Sequence, residues 1–142
     1  EDDNEDKQVY SSIPTSKRGD NFTISLTGLV QKSDTVYTDQ ATKLFLTLEN
    51  TSTSERIQLV PGECKLEVDG KTYAQTKLTS MRDSGWYNDI QPKDDNSDDD
   101  KYDGYLLFDQ IPEDWEKGKL TLTVRTNGTN TSSEEVVIYF KN

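Results

Sequence analysis

One run in this sequence has the residue types and spacing of a cation site. From Lys93 to Asp103 the chain reads K-D-D-N-S-D-D-D-K-Y-D, with six carboxylates opposed by two lysines. Asp94, Asn96, Asp98 and Asp100 stand at alternate positions. Calcium takes several oxygen ligands, and alternate residues of a tight loop can aim them at one point. The pattern departs from an EF-hand, because Asp99 stands where the invariant glycine belongs and Tyr105 where the bidentate glutamate belongs. Two readings follow: calcium held by Asp94, Asn96, Asp98 and Asp100, or a solvated polar insertion.

A second set of residues is aromatic: Trp86, Tyr87, Tyr102, Tyr105 and Trp115. Exposed on a sheet, Trp86 and Tyr87 would stack on a sugar. Packed in the core or at its edge, a Trp needs a partner for its N–H. Asp109 with Glu113 or Asp114 offers the two carboxylates of a glycosidase. Such pairs are inevitable in a chain with 27 acids, and nothing in the sequence sets the separation that reaction needs.

Other chemistry is narrowed by what the chain lacks. It has no histidine, which removes Ser-His-Asp and Cys-His catalysis and most zinc sites. Its one cysteine, Cys64, has no internal partner and alternates with Leu66 and Val68, so it is expected to be a small buried apolar residue. The expectation is a protein that is not an enzyme, with calcium as its one candidate cofactor. N-x-S/T sequons occur at Asn21, Asn50, Asn127 and Asn130. They would accept glycans in a secreted eukaryotic protein, and arise by chance in a Ser- and Thr-rich bacterial β-protein, the preferred reading.

The net charge of −11 is concentrated. Residues 1–7 and 93–103 carry −4 each, which leaves −3 for the body between and after them. A body so nearly balanced is not expected to hold nucleic acid or an anionic membrane by charge. No apolar run approaches the roughly 20 residues of a membrane span, and no signal peptide is present. The chain opens on E-D-D-N-E-D-K without methionine, which reads as a mature or trimmed product.

The elements that must carry these residues are strands. In K-L-F-L-T-L-E-N-T-S, from Lys43 to Ser52, Leu44, Leu46 and Leu48 fall on one side and Phe45 and Thr47 on the other. A strand apolar on one face and partly so on the other reads as central. Phe22, Ile24 and Leu26 mark the strand before it, and Gly28 breaks their phase, as at a bulge. Further strands are expected at Glu55–Pro61, around Leu66, from Thr72, at Gly104–Asp109, Lys119–Thr126 and Glu134–Phe140. The pair Asp69-Gly70 between alternating runs predicts a tight hairpin. Residues 1–20 read as an acidic flexible linker, and 21–142 as one domain with an acidic insertion at 93–103. Seven or eight short strands with turn chemistry between them predict an all-β, antiparallel β-sandwich.

The order of the pieces resembles a family. A strand ending in E-N-T-S, then Val60-Pro61-Gly62 leading to a strand that ends D-G-K-T-Y, then G-Y-L-L-F-D-Q-I-P from Gly104 to Pro112, is similar to the immunoglobulin-like extracellular domain of uncharacterised Gram-positive lipoproteins and secreted antigens. The resemblance spans about Asn21 to Phe140. It implies an immunoglobulin-like sandwich on a cell-surface protein tethered through an N-terminal lipidated cysteine, which this chain lacks. It transfers no catalytic residue. The expected function is a monomeric, non-enzymatic, extracellular interaction module that binds a protein or envelope component, anchored by lipid or secreted. The alternative is a carbohydrate-binding module using Trp86 and Tyr87.

Overall fold

The computed structural model describes residues 10–35, 39–75, 86, 89–93, 100–127 and 131–142. Ten strands follow one another: β1 (Ser11–Ser12), β2 (Thr15–Arg18), β3 (Phe22–Thr35), β4 (Asp39–Asn50), β5 (Arg56–Leu59), β6 (Lys65–Val68), β7 (Lys71–Tyr73), β8 (Lys101–Asp109), β9 (Lys117–Asn127) and β10 (Ser132–Lys141). A single 3-10 turn, Pro61–Glu63, is the one helical element among the described residues. One sheet runs β2-β3-β4-β8. The other runs β1-β10-β9-β6-β7, with β5 also on β9. The strand pairs are antiparallel except β1 with β10, which is parallel.

The two sheets close on one core, which makes the fold a β-sandwich. Leu44, Leu46 and Leu48 of β4 lie at most 1% exposed. They meet Phe22, Ile24 and Leu26 of β3 and Leu106 and Phe108 of β8 in the same apolar cluster as Leu120, Leu122 and Val124 of β9 and Val136, Ile138 and Phe140 of β10. Strand β4 is central to its sheet, with β3 on one side and β8 on the other. Period-two alternation buries one face of each strand, and that burial is the main stabilising term. At Gly28 the register slips by one residue, so Leu26 lies opposite Leu46 and Leu29 opposite Leu44. This bulge keeps Leu29 packed against the core and sends Val30 outward. Asp69 and Gly70 take positive φ of 51° and 85°, the pair of values the tight hairpin between β6 and β7 requires.

Three expectations change. The segment Ser11–Arg18, read as linker, supplies β1 to one sheet and β2 to the other. Composition misses this because the attachment is mostly backbone: edge strands bond through N–H and C=O, whatever the side chains. Tyr10 adds an edge-to-face contact with Tyr139 at 5.3 Å, and Ile13 packs on the core. Residues 1–9 of that linker lie outside the described residues. Among the described residues the strands number ten rather than seven or eight. Finally, Lys101–Asp103, counted with the acidic insertion, belong to β8 and pair with Thr47–Glu49.

Candidate interaction surfaces

The acidic run is tied down at both ends. The N–H of Lys93 donates to Ser52 O at 2.7 Å, and the carbonyl of Asp100 accepts the N–H of Asn50 at 2.7 Å. Lys93 Nζ lies 3.9 Å from the Asp100 carboxylate and 4.0 Å from that of Glu49. Asp100 is thus engaged by a lysine. The other residues proposed for calcium, Asp94, Asn96 and Asp98, lie outside the described residues. Among the described residues no group of three or more acidic, Cys or His side chains is placed to hold a metal ion.

Asn50 is the hub beside this run. It is fully buried, and its Nδ2 donates to the carbonyls of Glu55, Ile90 and Gln91 at 2.7, 3.1 and 3.1 Å. Its Oδ1 accepts the Ser52 N–H at 2.8 Å, and Ser52 Oγ in turn accepts the N–H groups of Ser54 and Glu55. A carboxamide so occupied has no room for a glycan while the domain is folded. Asn21 and Asn127 are half-buried, and Asn130 lies outside the described residues.

The aromatic residues separate by burial. Trp86 is 1% exposed, donates from Nε1 to Tyr105 O at 2.9 Å, and stands edge-to-face with Tyr102 at 5.2 Å. A stacking platform needs a ring face open to solvent, and Trp86 offers none. Tyr87 lies outside the described residues. Trp115 is buried against Phe140 at 5.4 Å. Tyr105 points the other way, onto the outer face of the β2-β3-β4-β8 sheet, directly opposite Phe45. Lys43 Nζ sits 4.3 Å from the Tyr105 ring and 5.1 Å from the Phe45 ring. On the other side of Phe45 stands Gly28, and the half-buried ring packs so close that a Cβ there would lie 3.3 Å from Phe45 Cδ2. Val30, opposite Lys43, is 44% exposed and is the one exposed large hydrophobic residue among those described. The sequence signal for this cluster was Phe45 breaking the polar alternation of β4. Its neighbours are set by strand register, which the sequence does not display.

Cys64 is a core residue, as expected. Burial pushes its thiol up to about 12; the Thr123 backbone contact works against this shift and the Glu63 charge adds to it. The thiol donates to Val60 O at 3.4 Å. A thiol held protonated is a poor nucleophile. Because the folded value lies above the unfolded one of about 8.5, the associated stability is complete below that pH and is lost as pH rises toward the folded value. The stability gap between wild type and Cys64→Ala, read by urea unfolding, is therefore expected to hold at neutral pH and to narrow above pH ~9. A gap that does not change with pH would contradict the buried neutral thiol.

Compared with known proteins, the chain matches no family model and no curated protein.

Proposed function

We propose that this domain is a non-enzymatic interaction module of a cell-surface lipoprotein, and that it meets a protein or envelope component through the outer face of the β2-β3-β4-β8 sheet. The observation that carries the reading is the half-exposed Phe45–Lys43–Tyr105 cluster on the outer face, with the exposed Val30 next to it. Aromatic rings offer large contact area at low entropic cost and are enriched among residues that dominate binding energy. A lysine over two rings adds a cation–π contact that strengthens when a partner excludes water. The buried polar groups, by contrast, are spent on the scaffold: Asn50 on three carbonyls and Trp86 on Tyr105.

The membrane-anchored, Gram-positive assignment is supported by the family resemblance, and is tested by the residues encoded just before Glu1. A short apolar segment ending in a small-residue box and a cysteine agrees with it, and an ordinary cytosolic start overturns it. For the site, wild type and Phe45→Ala/Tyr105→Ala are immobilised and exposed to fractionated envelope proteins and to a glycan array. Wild type is expected to retain an envelope protein that the variant loses, with both melting alike. Retention by both removes this face from the proposal. Specific sugar binding lost in the variant favours the carbohydrate-binding alternative, moved from Trp86 to Phe45 and Tyr105.

A further inference from the structure

We propose that the outer face of the opposite sheet, β1-β10-β9-β6-β7, docks an extended acidic segment of another protein. The inference goes beyond the reading above, because it concerns a separate surface and stands or falls separately. The chain as a whole is acidic, yet folding sorts its charges. On β9 the core takes Leu120, Leu122 and Val124, so alternation puts Lys117, Lys119 and Arg125 outside. Lys65 of β6 and Lys141 of β10 join them on the same face. Against these five cations the face carries Glu67 and Glu135, with Asp69 at its edge bonded to the N–H groups of Glu116 and Lys117. None of the five takes part in an ion pair among the described residues.

Two details point to a ligand. Lys117 lies directly opposite Lys141 in the ladder. Like charges facing each other across strands are unfavourable, and local conflicts of this kind are expected at functional or strained sites. Beside them, cavities of about 320 and 250 Å³ open on this face. The first is lined by Tyr10, Glu67, Asp69, Lys117 and Lys119, with Lys117 Nζ 5.1 Å from the Tyr10 ring. The second adds Lys65, Thr72, Thr121 and Glu135. Lys117 and Lys119 are two residues apart on a strand, roughly 6.6–6.8 Å, which is also the spacing of alternate side chains in an extended peptide. Glu67, Thr72 and Thr121 decide the class. The two hydroxyls can accept from and donate to a peptide backbone, and the Glu67 carboxylate can accept from its N–H groups.

The test titrates the full chain with a synthetic peptide alternating glutamate and threonine. Binding is expected at low salt, weakened about tenfold or more in ~0.5 M salt, where the Debye length falls to a few ångströms. Lys117→Glu/Lys119→Glu should abolish it and Lys117→Gln/Lys119→Gln should weaken it, while Phe45→Ala/Tyr105→Ala leaves it intact. Equal binding by the charge variants overturns the site. Tighter binding of inorganic polyphosphate overturns the peptide assignment. Binding that emerges only after residues 1–9 are removed means the chain's own acidic run competes for the face, and overturns docking by another protein.

Discussion

Asn50→Asp is expected to lower stability at neutral pH by about 3–5 kcal/mol, the range for leaving a buried charge without a partner. For a domain of this size that is a fall of roughly 10–15 °C in melting temperature. The side chain is fully buried, and its amide nitrogen faces three carbonyl oxygens. Replacing that nitrogen by oxygen turns three attractions into repulsions and places a charge where water does not reach. The network also joins elements far apart in sequence: Asn50 ends β4, Ile90 bridges to Ile57 at the start of β5, and Asp100 immediately precedes β8. The loss therefore falls on the whole domain. The sign with pH is fixed. Burial raises the folded pKa of the new carboxyl above its unfolded value of about 3.9, so the part of the destabilisation that comes from the charge is absent below that pH and grows as pH rises through the folded value. Asn50→Ala keeps the carbonyls unpaired without the charge, and should be destabilised with little dependence on pH. Melting curves of the three proteins at pH 4 and pH 7 decide the matter. If Asn50→Asp melts within a few degrees of wild type at pH 7, the hub is not what holds these segments together.

The same residue shows how far the sequence could be read. Asn50 was legible as the end of a strand, because Glu49-Asn50-Thr51-Ser52 favours turns. Its partners were not, since Ile90 and Gln91 lie 40 and 41 residues away and carry no pattern that refers back to it. Leu44, Leu46 and Leu48 were legible as one buried face because alternation is a local signal, and Gly28 and Asp69-Gly70 because a bulge and a tight hairpin demand particular backbone. Strands β1 and β2 were not, because their attachment lies in main-chain bonds that composition does not record. The candidate surface divides in the same way. Phe45 was visible as an apolar residue on the outer side of β4. That Tyr105 stands opposite it, and Lys43 over both rings, depends on the register between β4 and β8, and a shift of one residue would have faced Tyr105 inward. The sum of charge likewise hid the cationic face, because a total says nothing about which side of a sheet each charge occupies.

Trp86→Ala, the substitution that the sequence recommends as a test of sugar stacking, is expected instead to cost about 3–5 kcal/mol of stability, the usual range for a large buried aromatic. The indole is 1% exposed and fills the place where Gly104 has no side chain: a Cβ there would come within 2.5 Å of Trp86 Cζ2. Its N–H bonds the Tyr105 carbonyl, so truncation removes a hydrogen bond as well as volume. The G-Y-L-L-F run is explained by this contact. Gly104 admits the indole, and Leu106 and Phe108 continue the core face. The pairing makes a further prediction. Gly104→Ala in the wild type forces Trp86 to shift and should cost about 1–3 kcal/mol, the range for overpacking a filled core. In the Trp86→Ala background the same methyl enters space already vacated, so the double variant should be no less stable than Trp86→Ala alone. That non-additivity, measured by urea unfolding of the four proteins, is the signature of direct contact. Additive losses would mean that Gly104 and Trp86 act separately. A Trp86→Ala protein that melts like wild type would place the indole outside the core and return it to the surface as a candidate for stacking.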